Sequence, residues 1–345
     1  MKKIKVPIEK AVGCIIPHDI TEVDLSKNFK GRAFKKGHII TEKDIEKLKL
    51  LGKDYIYVLK LEENEIHEDE AAILLAQALS GENTYYDKEP KEGKINIYSK
   101  VDGIFVYDKG TLINFNMVGE PSCSAIFPYI FVKKNQKLAS VRIISLACKK
   151  KEIKEAISLL PKEGLFKVIP LKLKKAGLII TGNEIYFGRK KDEFYDRLKN
   201  KLSQHKVEIE EKIILPDDKE KIKNTILYFS KKYDLVLLTG GTSVDPDDVT
   251  YLALKELKPE NYIRGNPIQP GNMLTFGYVN GTPVVCIPAA ALYYKVTSFD
   301  IWLPKFLLKE KISKEEVAAK SIGGLCFNCK ICVYPICAFG KGYKL

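Results

Sequence analysis

From Lys174 onward the chain alternates short apolar runs with longer amphipathic ones, and this rhythm constrains its fold more than any other feature. The runs "AGLIITG", "VEIEEKIIL", "YDLVLLTGG" and "TPVVCIPAA" read as strands, and "KKDEFYDRLKNKLSQH", "DDKEKIKNTILYFSKK", "DDVTYLALKEL" and "LYYKVTSFDIWLPKFL" read as the helices between and after them. Strands separated by helices of that length are joined by crossovers, so they lie mostly parallel in a sheet covered on both faces. The expected fold is α/β, with a doubly wound, mostly parallel sheet over residues 174–310.

Smaller modules precede this domain. Residues 1–61 read as an α+β module in which "TEKDIEKLKLLG" is a helix with Thr41 as its N-cap, Asp44 three residues on and Gly52 as its stop. Residues 62–173 read as β-rich with helices: "EDEAAILLAQALSG" and "KKKEIKEAISLL" are helical, while "KINIYSK", "GIFVYDKG", "TLINFNMVG" and "ASVRIISL" are short strands. Residues 311–345 form a cysteine-rich tail.

The formal charge of +13 raises the question of nucleic acid, but the lysines are spread along the chain among acids, as on solvated helix faces. No nucleic-acid partner is expected, although the excess favours small anionic ligands. No run approaches the roughly 20 apolar residues that span a bilayer, and the basic N-terminus has no apolar segment behind it, so a cytoplasmic protein without a membrane partner is expected. Of the eight cysteines, Cys14, Cys123, Cys148 and Cys286 sit singly among apolar residues and read as small core side chains.

In an open α/β sheet the binding crevice lies beyond the carboxyl ends of the strands. Three such ends carry chemistry: Thr181–Glu184, Thr239–Asp248 and Pro288–Ala291. Gly240 and Gly241 allow backbone N–H groups to approach a ligand, Thr242 and Ser243 add hydroxyls, and the following helix offers its positive end, which together suit a phosphate. Asp245, Asp247 and Asp248, with Glu184 from a neighbouring strand end, suit Mg²⁺ held by carboxylates and phosphate oxygens. The alternative is a tight glycine turn whose aspartates cap a helix.

At these positions the chain resembles a known family. "TGGTSVDPDDVT" (239–250) is similar to the signature of the molybdopterin-binding domain shared by MoeA, MogA and MoaB proteins, and more distantly by CinA. "LIITGNE" resembles MoeA's strand and Thr-Gly-Asp-Glu turn, "IQPGNMLTFG" its Pro-Gly-Lys-Pro loop, and "GTPVVCIPAAALY" its strand before Pro-Gly-Asn-Pro; "AVGCIIPHDIT" resembles the opening of MoeA-like chains. The family's Ser-Ala-Met-Asp-Gly stretch has no counterpart. The resemblance implies a MogA-like domain and a role in molybdenum cofactor biosynthesis: binding adenylylated molybdopterin and inserting molybdate with Mg²⁺, releasing AMP.

Residue by residue, the resemblance implies that Glu184 and Asp248 are catalytic, that both bind Mg²⁺ with Asp247, and that Gly240, Gly241, Thr242 and Ser243 hold the terminal phosphate. Thr181, Gly182, Asn183, Asp245, Pro270, Gly271 and Asn272 complete the pocket. This chain departs from the family pattern at Asn183 (Asp in the family), Asn272 (Lys) and Ala289–Ala290–Ala291 (Gly-Asn-Pro). These departures support the alternative of a non-catalytic protein that senses or delivers the cofactor; a CinA-like nucleotide hydrolase is a third reading. Expected partners are molybdopterin and nucleotide ligands, a second copy of the chain, other cofactor-biosynthesis proteins and molybdoenzymes.

The remaining four cysteines, Cys326, Cys329, Cys332 and Cys337, have the spacing C-x₂-C-x₂-C-x₄-C. A ferredoxin-type run is one residue shorter at its last gap, and zinc Cys₄ sites more often pair two separated C-x₂-C knuckles. An iron–sulfur cluster is the expected occupant, with Zn²⁺ as the alternative; disulfides would be disfavoured in a reducing compartment.

Overall fold

The computed structural model describes residues 2–24, 29–241 and 249–342. They fall into two compact units, residues 1–128 with 132–169, and residues 129–131 with 170–345. Among the described residues no helix is long and apolar enough to cross a membrane.

In the first unit Lys2–Pro7 pairs antiparallel with Tyr55–Lys60, and Ile20–Asp24 with Phe29–Phe34. Ile8, Cys14, Ile16, Phe34, Leu48 and Val58 form the core beneath them. Thr41 is not the N-cap. The helix is Asp44–Leu50, and its Asp44 carboxylate accepts both the N–H and the hydroxyl of Thr41 at 2.8 Å, with His38 Nε2 at 2.9 Å. The expected partners do meet, but across an intervening turn.

Farther along, Thr84–Tyr86, Lys94–Ser99, Lys137–Ile143 and Pro121–Ala125 form a four-stranded antiparallel sheet in that order. Helix Glu68–Leu79 buries Ala71, Ala72, Leu75, Ala76 and Leu79. One expected strand is a helix: the "TLINFNM" segment belongs to helix Lys109–Met117. Asp108 caps it by accepting the Thr111 N–H at 2.6 Å. Asn116 then fastens its far end by exchanging hydrogen bonds with the Cys123 backbone at 2.8 and 3.0 Å. A cap at one end and a side-chain clamp at the other outweigh the β preference of the Ile and Phe between them.

The second unit is built on a six-stranded sheet. In chain order the strands are Lys174–Thr181, Val207–Leu215, Leu235–Thr239, Glu260–Arg264, Thr275–Val279 and Thr282–Cys286; across the sheet they run second, first, third, sixth, fifth, fourth. The second, first, third and sixth are mutually parallel, and the fifth is antiparallel to both neighbours. The sheet is therefore mostly parallel with an antiparallel edge. Helices Phe194–Ser203, Lys219–Lys232, Thr250–Glu256 and Ser298–Leu307 alternate with the strands.

Burial follows from this layering. Leu235, Val236, Leu237 and Leu238 are all fully buried, as a central strand with both faces covered requires. Ile222, Ile226 and Phe229 of one helix meet Ile179, Val236 and Leu238 in one core cluster. Phe306 packs edge-on against Phe276 of the fifth strand, with centroids 5.2 Å apart. From the first strand the chain moves outward to the second, then returns past the first to the third. The order reverses between the first and third strands, and in such sheets a crevice opens there.

Candidate functional site

The first strand ends at Thr181 and the third at Thr239, and neither end is exposed. The Thr181 hydroxyl lies 2.7 Å from that of Thr250 and donates to the Thr239 carbonyl at 3.2 Å, tying both strand ends to the start of the next helix. Gly240 follows with φ +84°, and a Cβ there would sit 2.1 Å from the Thr181 carbonyl oxygen. At Gly241, φ +51°, a Cβ would sit 2.7 Å from the Thr250 hydroxyl. Both glycines are needed for the loop to pass over the end of the first strand at contact distance. The Thr239 hydroxyl is buried without a hydrogen-bond partner among the described residues.

Beyond Thr181, Gly182 has φ +133° and starts a single helical turn, Asn183–Tyr186. Glu184 folds back over this glycine: its Oε2 is 2.9 Å from where a Gly182 Cβ would be. Asn183 and Asp217 exchange hydrogen bonds, Asn183 N–H to Asp217 Oδ2 at 3.0 Å and Asp217 N–H to Asn183 Oδ1 at 3.3 Å. The Asn183 amide is thereby committed to the end of the second strand, and a carboxylate, Asp217, stands beside it. No sequence motif singles out Asp217, although it too follows directly on a strand of the parallel set.

Pro270, Gly271 and Asn272 form a second group, held from two sides. The Asn266 side-chain amide, 8% exposed, donates to the Gly271 carbonyl at 3.2 Å, and its backbone N–H donates to the Asn272 carbonyl at 2.9 Å. Ser298, at the start of the last sheet-packing helix, donates its N–H to the Pro270 carbonyl at 3.1 Å and its hydroxyl to the Gly271 carbonyl. The Asn272 side chain is exposed, whereas the Asn266 Oδ1 is buried with no partner among the described residues. Asn266, again unmarked in the sequence, is the residue that shapes this loop.

Thr181, Gly182, Gly240 and Gly241 thus come together with Glu184 and Asn183 at neighbouring strand ends, and Pro270–Asn272 are organised around the start of a helix. Thr242, Ser243, Asp245, Asp247 and Asp248 lie outside the described residues. Among the described residues no three Cys, His, Asp or Glu side chains form a single-ion site. The turn after the sixth strand, Pro288–Ala291, opens a short helix Ala290–Tyr293. Lys201 braces the segment that follows by donating to the Lys295 carbonyl at 3.0 Å and pairing with Asp300 at 2.7 Å.

Residues 177–307 match the family described as "Probable molybdopterin binding domain", and residues 5–60 match a domain of unknown function. A putative molybdopterin biosynthesis protein of Methanocaldococcus jannaschii is 35% identical over 101 residues, 28% of this chain and 24% of that protein. Gephyrin of Dictyostelium discoideum is 26% identical over 306 residues, 80% of this chain and 40% of gephyrin. The chain thus spans about a quarter to two fifths of the length of these relatives. Among solved structures, the molybdopterin biosynthesis enzyme MoaB of Thermus thermophilus covers 41% of this chain and 100% of its own, at 18% identity and a TM-score of 0.34.

Proposed function

We propose, from the match of residues 177–307 to the molybdopterin-binding domain family and the similarity to molybdopterin biosynthesis proteins, that the chain binds adenylylated molybdopterin and inserts molybdate into it with Mg²⁺. The observation that carries the reading is the loop at Gly240–Gly241, pinned over the switch point by the Thr181–Thr250 hydroxyl pair and backed by the Thr239 hydroxyl, which has no partner among the described residues. Such a loop presents backbone and hydroxyl donors to a phosphate at the position where doubly wound sheets bind their ligands. In this reading Thr242 and Ser243 supply hydroxyls to the terminal phosphate, with Asp245 alongside, and Pro270, Gly271 and Asn272 wall the pterin.

Mg²⁺ fits the donor chemistry of this edge. Glu184 and Asp217 are hard oxygen donors flanking Asn183, and Mg²⁺ is commonly held by one or two carboxylates with phosphate oxygens and water. Glu184, with Asp247 and Asp248, would hold the ion, whose chemistry is to neutralise phosphate charge and orient molybdate oxygens. Asp217 restores at this turn the carboxylate missing at Asn183. The protein's own part is to fix the phosphate, orient the pterin and place the Glu184 carboxylate beside the metal.

A second reading is favoured by Asn272. A loop side chain without a cation cannot neutralise an oxyanion as a lysine would, which points toward binding without turnover. Purified protein, adenylylated molybdopterin, Mg²⁺ and molybdate separate the two: ligand retention with AMP release supports insertion, and retention without AMP release supports a carrier or sensor. No retention would overturn both.

A further inference from the structure

The tail cysteines have no part in that reading. Cys326, Cys329, Cys332 and Cys337 all line a single cavity of ≈220 Å³, together with Tyr293, Tyr294, Val296, Tyr334 and Phe339. Three of the four are half-buried, and Cys329 is exposed. All four are free thiols, and the other four cysteines are buried elsewhere.

The tail is built into the unit and does not hang from it. Gln269 N–H donates to the Gly324 carbonyl at 2.8 Å, and Cys326 N–H returns to the Gln269 carbonyl at 2.9 Å. At the other end Gly340 N–H donates to the Gly323 carbonyl at 2.8 Å, and Lys320 Nζ donates to the carbonyls of Gly340 and Lys341 at 2.7 and 3.1 Å. The cysteine loop is therefore a closed excursion whose two ends are fastened together. Within it the Asn328 N–H points at Cys326 Sγ, 3.4 Å away, the contact by which a backbone amide stabilises a ligating thiolate.

The cysteine spacing and the shared cavity bear on the occupant. A tetrahedral zinc site has Zn–S bonds of about 2.3 Å, which bring its four sulfurs within about 3.8 Å of one another around the ion and leave no further space. Here the four cysteines line one cavity of ≈220 Å³, and Cys326, Cys329 and Cys332 follow the C-x₂-C-x₂-C spacing of ferredoxin-type ligand runs. Four cysteines on one such cavity, three of them at that spacing, are suited to a polynuclear centre.

We propose that Cys326, Cys329, Cys332 and Cys337 ligate one iron–sulfur cluster in this cavity, each thiol losing its proton on ligation. Cys326 is tied by its backbone N–H to Gln269, the residue before Pro270. The inference does not depend on the molybdopterin reading, since none of the four cysteines is assigned to the pterin.

The test is anaerobic purification of the full chain after expression with iron, followed by determination of iron, zinc and acid-labile sulfide, the visible absorption spectrum, and electron paramagnetic resonance after dithionite reduction. Iron and sulfide in equal amounts, a broad visible absorption and a reduced-cluster resonance are expected. Cys332→Ser and Cys337→Ser should each lower iron and sulfide about tenfold, and Cys148→Ala should leave both unchanged. Circular dichroism of each variant reports folding, and the wild-type spectra decide the matter if a variant fails to fold. One equivalent of zinc without sulfide, iron retained in both tail variants, or a metal-free wild type with four titratable tail thiols would each overturn the proposal. Pterin retention, measured on the same preparations, fails or succeeds separately.

Discussion

Thr181→Val and Thr250→Val, singly and together, measure the hydroxyl pair that holds the glycine loop. Both side chains are fully buried and their oxygens are 2.7 Å apart. Thr181→Val removes that bond and the one to the Thr239 carbonyl, and it strands the Thr250 hydroxyl without its partner. With a net bond worth about 1 kcal/mol and a buried unsatisfied group costing about 1–3 kcal/mol, the single variant should lose about 2–3 kcal/mol. Thr250→Val should lose about 1–2 kcal/mol, because Thr181 keeps its carbonyl partner. In the double variant the shared bond is lost once and no hydroxyl is orphaned, so its loss should fall short of the sum by about 1 kcal/mol. Urea unfolding followed by Trp302 fluorescence is the assay. Trp302 is the chain's single tryptophan, 2% exposed in the last sheet-packing helix, so it reports the second unit by itself. Additivity within about 0.3 kcal/mol would mean that the hydroxyls do not support each other, and the account of the loop's rigidity would fall with it.

Gly240→Ala should destabilise the second unit by about 2 kcal/mol or more, since φ is +84° and the new Cβ would meet the Thr181 carbonyl oxygen at 2.1 Å; an unchanged urea midpoint refutes this. Glu184→Gln should reduce Mg²⁺-dependent ligand binding about tenfold with no change in melting temperature, because the side chain is exposed and outside the core; an unaltered Mg²⁺ titration removes Glu184 from the site. Burial pushes the thiols of Cys123, Cys148 and Cys286 up to about 12, and that of Cys14 upward. Iodoacetamide at pH 8 should therefore leave these four unmodified in the folded chain, and mass spectrometry showing their alkylation before unfolding would contradict their burial. The sign also sets a stability trend: a thiol pKa raised on folding contributes fully below the unfolded value and loses that contribution as pH rises toward the folded one. Stability should therefore fall between about pH 9 and pH 12.

The strand–helix alternation is legible because a parallel sheet demands apolar runs and crossover helices, and both leave marks in one dimension. The antiparallel edge is written just as plainly, in a signal that the alternation overshadows. Asn280 and Gly281, with φ of +52° and +75°, form the two-residue turn that joins the fifth and sixth strands, and an Asn-Gly pair between apolar runs is a strong hairpin signal. Lys109–Met117 departs from its apparent strand pattern for a different reason. Its helix rests on a cap at Asp108 and on the grip of Asn116 on Cys123, and a pattern of apolar residues records neither.

The site shows the same division. Glycines at strand ends are visible because each answers a backbone demand that other residues meet with strain. Asp217 and Asn266 are not visible because their roles exist only in the pairing of segments far apart in the chain: Asp217 reaches Asn183 across 34 positions, and Asn266 closes a loop whose far wall is Ser298. This changes how the departures from the family pattern should be weighed. Along the chain Asn183 is a lost charge; in the fold its backbone N–H donates to the Asp217 carboxylate beyond the second strand, so a carboxylate still stands at this turn. Asn272 has no such replacement among its described contacts, since its carbonyl takes the Asn266 N–H and its side chain is exposed. Of these two substitutions, Asn272 is therefore the one that bears on turnover. Asn272→Lys is accordingly the change that should convert retention of the adenylylated pterin into AMP release if the wild type is found to bind without reacting.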